Sequence, residues 1–126
     1  MNVGVRLLVA ASGLAGLLGV AASAMAAHVT GGGSLAIAGT FLLIHAAALL
    51  GLAALVGQGL VSRRLGLLAG AILVAGLVLF CGDIALRVGA GVTMFRWAPP
   101  TGGFLMMAGW ALVATASLRG RGASVG

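Results

Sequence analysis

Lysine, glutamate and tyrosine are absent from this chain, and aspartate occurs once, as Asp83. Charged residues make up 6% of it, against about 25% in a soluble domain. So few charges cannot clothe a core of 126 residues in a water-facing surface, which excludes a soluble globular domain. A single acid also excludes chemistry that needs paired carboxylates. The one cysteine, Cys81, forms no intrachain disulfide and has no metal-type spacing around it, so it reads as a small buried hydrophobe. The charge that remains is of one sign: seven arginines against Asp83, a net +6. The arginines stand singly or in pairs between apolar runs, without a basic stripe or stacking aromatics. They are topology signals, and no nucleic-acid partner is expected.

What is present is apolar. Hydrophobic residues make up 62% of the chain and its mean hydropathy is +1.26, so the lipid bilayer is its expected solvent. Four apolar segments emerge, at about residues 5–27, 35–56, 65–86 and 101–118. Each suits a hydrocarbon core of about 30 Å at 1.5 Å of rise per residue. Backbone polar groups in that medium must be bonded internally, so the segments are helices. "ASAMA" near residue 24 resembles a leader-peptidase site. The uncharged run 7–27 is 21 residues long, however, and a leader core is roughly 7–15. An uncleaved span is the expectation.

The arginines orient the spans. Arg6, Arg63, Arg64, Arg119 and Arg121 fall on one side and Arg87 and Arg96 on the other, so the positive-inside rule places both termini in the cytoplasm. In a bacterial host the first and third loops then face the periplasm. Trp97 suits an interfacial anchor there, and Pro99–Pro100 closes irregular chain before a fourth helix near Thr101. The expected fold is an all-α membrane protein, a four-helix transmembrane bundle forming one domain over residues 1–126.

Small residues predict how the helices meet. Ala11, Ala15, Gly19, Ser23 and Ala27 recur every fourth position on the first helix, a stripe that admits another helix closely. Gly66 and Gly70 begin a second stripe, and Gly102, Gly103 and Gly109 are further packing candidates. "LLVAASGLAGL" (7–17) aligns with "LLAGAILVAGL" (67–77), and "GTFLLIHAAAL" (39–49) with "GGFLMMAGWAL" (102–112). These alignments hint at two related hairpins.

Polar residues inside spans are costly and frequently functional. His45, near mid-span, reads either as a proton-handling or ligating imidazole or as a neutral group fixing helix packing. His28 sits at the end of the first helix, where it would cap carbonyls. The two histidines differ in depth by roughly 15 Å, which is awkward for axial ligation of one haem, so no cofactor is expected. Asp83 and Arg87, four apart on one helix face, read as an ion pair or as a gate or anchor for a partner. No nucleophile motif or phosphate loop is present, and an enzyme is not expected.

"AMAAHV", "IHAAALL", "AGAILVAGLVLFCG" and "PPTGGFLMMAGW" occur in that order, one per span. This series resembles the domain-of-unknown-function 423 family of small bacterial membrane proteins, related to the eukaryotic transmembrane protein 256. In the resemblance His28 and His45 match the family's two histidines. Phe80 and Gly82 match its third segment, and Pro100, Gly102, Gly103, Gly109 and Trp110 its last. Ala24 and Ala26 replace glycines, Ile44 a tyrosine and Asp83 a serine. The resemblance implies four membrane helices and no established activity. The abundance of Gly and Ala packing faces and the scarcity of titratable groups in the spans make the expected role structural or accessory, packing against a second copy or a larger membrane complex. The alternative is a minimal transporter or channel using His45 and Asp83/Arg87.

Overall fold

The computed structural model describes residues 2–120. It contains four long helices and no strand among those residues: α1, Val3–Met25; α2, Ser34–Gly57; α3, Arg63–Ala90; and α4, Ala98–Ala116. All four are long and apolar enough to cross a membrane. None is markedly two-faced, as expected where lipid and core are both apolar. The chain is a multi-pass membrane protein built as a four-helix bundle.

The helix ends come from local chemistry. The Asn2 side chain accepts the Val5 N–H at 2.9 Å, capping α1, and the Ser62 hydroxyl accepts from Leu65 N to cap α3. Gly91 ends α3 in the left-handed conformation, φ 69°, which a Cβ would oppose. Three spans run past the expected limits. α3 continues through Arg87 to Ala90, because the Arg87 head reaches Asp83 and needs no helix break to find polarity. Pro99 and Pro100 lie within the first turn of α4 rather than before it, where a missing N–H costs nothing. α1 continues as a π-helical turn, Ala26–Thr30.

One expectation is corrected at the end of the small-residue stripe: Ala26 is buried and Ala27, its last member, is exposed, because a four-residue repeat drifts about 40° per step around a helix of 3.6 residues per turn. The rest of the stripe faces inward, Gly19 and Ser23 against α2 and Ala11 and Ala15 on the side toward α3. Ala15 and Gly19 are buried, with Ala11 and Ser23 half-buried. A Cβ on Gly19 would come within 2.9 Å of the Leu43 Cγ. Gly39 on α2 answers it, lying so close that a Cβ would meet the Ser23 Oγ at 2.5 Å. Gly66 and Gly70 both serve close packing, against Val56 and Leu8 respectively. On α4, Gly102 and Gly109 do the same, against Phe80 and Leu73. Gly103 does not: rotated about 100° from Gly102, it has no atom within 4 Å of a Cβ position.

α1 packs chiefly on α2, and α4 chiefly on α3, so two tight hairpins meet along α2 and α3. The core between them is aliphatic, centred on Leu49, Leu52, Leu73 and Leu77. α1 meets α3 at the arginine-rich end, where Leu8 covers Gly70 and Leu67 covers Gly4. Further along, the two helices part. An apolar cleft of about 530 Å³ opens between them, walled by residues such as Leu14, Leu18, Val78 and Ala85 and floored by Ala38 and Leu42 of α2.

Candidate functional site

Position 45 falls on the α2 face turned to α3 and α4, so its imidazole is buried at 4% exposure. Its Nδ1 lies 2.8 Å from the Phe41 carbonyl oxygen, and its Nε2 lies 3.2 Å from the Trp110 indole nitrogen of α4. An indole N–H only donates. Nε2 is therefore the acceptor, the proton sits on Nδ1, and Nδ1–H donates to Phe41. His45 is neutral and both nitrogens are engaged. Phe41 stacks on it at 6.0 Å between centroids, and Phe80 of α3 closes the cluster at 4.8 Å from Phe41. The Trp110 ring lies edge-on to the imidazole at 5.8 Å. One imidazole thus joins α2 to α4 with α3 beside it. Asymmetry in Trp110 permits this: its N–H faces the core while 43% of the residue remains exposed on the membrane side.

Two further bonds repeat the pattern, the second of them a weak thiol bond. The Ser12 hydroxyl of α1 donates to the Ala46 carbonyl at 2.7 Å, and the Cys81 thiol of α3 donates to the Ala38 carbonyl at 3.6 Å. Each helix that touches α2 is therefore tied to it by one side-chain hydrogen bond. The sequence gives no warning of Ser12, and although the family resemblance marks Trp110 it does not pair it with His45. Their partners lie 34 and 65 positions away, and a lone serine in an apolar run has no periodicity to betray it.

The second polar centre is Asp83, which is fully buried near the end of α3. Its Oδ1 accepts the Met94 backbone N–H at 2.8 Å. Its Oδ2 lies 2.6 Å from the Arg87 Nε without hydrogen-bond alignment, an ionic contact. The Arg87 side chain is half exposed. The carboxylate therefore folds the 91–97 loop back on the helix that precedes it, and Gly82 leaves room for the Met94 side chain. Beyond the loop, the Arg96 guanidinium lies 5.3 Å from the centroid of the exposed Trp97 ring.

Of the predicted polar residues the structure brings together only Asp83 and Arg87, and His28 and His45 stand apart from them and from each other. Ala38 of α2 meets Cys81 of α3, and the helices run antiparallel, so Asp83 stands about nine residues of helix, roughly 13 Å, from the level of His45. His28 is exposed in the π turn, whose carbonyl at Ala26 is satisfied by the backbone N–H groups of Gly31 and Gly32 rather than by an imidazole. Among the described residues, no three His, Cys, Asp or Glu side chains are grouped to hold a metal ion.

No curated protein and no solved structure matches the chain. The sequence profile described as protein of unknown function (DUF423) matches residues 19–103. That stretch runs from Gly19, seated on Leu42 and Leu43, through His45 and Asp83 to the glycines that open α4, with Trp110 lying beyond it. More than half of the sequence lies within the match, and the chain belongs to the DUF423 family of proteins of unknown function.

Proposed function

We propose that this protein is a structural or accessory component of the bacterial inner membrane, with both termini in the cytoplasm, that packs against a second copy or a larger membrane complex. One observation carries the reading: the two polar side chains buried deepest in the spans, His45 and Asp83, are both committed within the chain. A transport cycle needs a titratable group with a free face toward a water path. Here the imidazole holds helices together and the carboxylate holds a loop. The apolar cleft between α1 and α3 offers a partner helix a place to seat small and branched side chains. Gly19 and Ser23 of the small-residue stripe serve α1 against α2, while Ala11 and Ala15 help line the cleft.

The test is extraction in a mild detergent followed by native mass spectrometry and a flux assay in proteoliposomes. The expected result is a mass corresponding to a homo-oligomer or a larger assembly, reduced to the monomer by Ala85→Trp in the cleft wall. A monomer that carries a solute flux abolished by His45→Ala would overturn the reading.

A further inference from the structure

Three of the seven arginines line one concavity. Arg63 and Arg64 open α3, and Arg119 ends the short 3-10 turn that follows α4. Together with Asn2, Gln58 and Ser62 they line a cavity of about 420 Å³ at the end of the bundle. That volume lies in the range of small-molecule sites, roughly 300–1,000 Å³. The backbone holds the parts in place: Ser62 N–H donates to the Ala116 carbonyl at 3.2 Å, fastening the α2–α3 loop to the end of α4.

The charge in this cavity has no acidic side chain to answer it. Asp83 is the chain's single acid, and it lies 19 residues along α3 from Arg64, roughly 28 Å at 1.5 Å per residue. It is also engaged with Arg87. The arginines at the opposite end differ in this respect, since Arg87 has its carboxylate and Arg96 an indole face. Topology alone asks only for a count of positive charges on one side. It does not ask that three of them converge on one pocket with hydroxyl and amide donors between them. Guanidinium groups match phosphate oxygens with paired donors, and the first-turn amides of α3 add partial positive charge. The cavity lies where the helices leave the hydrocarbon, at the level of lipid headgroups.

The geometry points to a phosphate-binding site formed by Arg63, Arg64 and Arg119, which takes the phosphate of an anionic phospholipid headgroup or a free phosphate compound. The site does not depend on the structural role proposed above.

Native mass spectrometry of the whole chain in mild detergent tests it, with phosphatidylglycerol, phosphatidylcholine or inorganic phosphate added in turn. Phosphatidylglycerol is expected to remain bound at least about tenfold more than phosphatidylcholine. The triple variant Arg63→Gln, Arg64→Gln, Arg119→Gln is expected to lose that preference. Arg6→Gln with Arg96→Gln removes two charges that do not line the cavity and should keep it. Binding of inorganic phosphate that is lost in the triple variant, without a lipid preference, assigns the same site to a soluble phosphate compound. If the triple variant fails to fold, Arg119→Gln alone, in a surface turn, is expected to weaken binding several-fold. Equal retention of both lipids with no phosphate binding, or retention undiminished in the folded variants, overturns the assignment.

Discussion

At the scale of residues, the bundle depends on a few polar atoms whose value is set by having no water to fall back on. Trp110→Phe keeps the aromatic surface but leaves the His45 Nε2 without its donor. Interhelical hydrogen bonds in membranes average about 0.6 kcal/mol and reach about 1.7. We expect a coupling near 1 kcal/mol between His45→Phe and Trp110→Phe in a double-mutant cycle, read from unfolding in mild detergent. Additive losses would mean that the bond contributes nothing. Asp83 poses a different problem. Arg87→Gln strands a buried carboxylate, which we expect to cost about 1–3 kcal/mol, at or below the range for breaking a buried pair because Arg87 is half exposed. Adding Asp83→Asn should recover most of that loss, since the amide still accepts the Met94 N–H through its oxygen. A double variant less stable than Arg87→Gln would contradict this account. The i, i+4 spacing of Asp83 and Arg87 made their pairing readable from the sequence. Met94, eleven positions along and held by its backbone, carried no side-chain signal, so the loop clamp was not readable.

At the scale of elements, contact distance decides how α3 meets α4. A Cβ on Gly76 would lie 2.7 Å from the Gly102 carbonyl oxygen and 2.9 Å from the Met106 nitrogen, both backbone atoms that cannot step aside. Gly76→Leu should therefore separate the second hairpin, costing 1–3 kcal/mol or more by overpacking. Gly103→Leu, on open surface, should be nearly neutral. The measurement is the midpoint of thermal aggregation in detergent, and similar losses for the two variants would refute the distinction. Four spans were legible because apolar runs of about twenty residues, parted by arginines or, between the first two, by the glycine-rich stretch 28–34, leave no other solution in a bilayer. Which glycines matter was only partly legible. With 23 glycines in the chain, spacing marks candidates such as Gly19, Gly66 and Gly70. Gly39 and Gly76 stand out only once the facing backbone is known. The exposed Ala27 has a geometric cause: a strict four-residue repeat drifts about 40° per step around the helix, and the buried face instead follows alternating spacings of three and four through Ser12, Ala15 and Gly19 to Ala26.

At the scale of the whole molecule, the two ends of the bundle are electrostatically unlike. The start of α1, the turn that follows α4 and the α2–α3 loop share one end, with Arg6, Arg63, Arg64 and Arg119. Arg121 of the same tail lies outside the described residues. The other end has Arg87, half neutralised by Asp83, and Arg96 beside Trp97. Insertion responds to that imbalance through lysines and arginines near span ends, while acidic residues count little. The proposed orientation rests on that imbalance, and one property of the chain makes it easy to test. Cys81, the single cysteine, is buried, so Cys81→Ala gives a background free of thiols. Into it, cysteines replace Gln58 in the second loop and Val92 in the third, both exposed. A membrane-impermeant maleimide added to intact cells should label Val92→Cys and leave Gln58→Cys untouched until the membrane is opened. Labelling in the reverse order would place the arginine-rich cavity outside the cytoplasm.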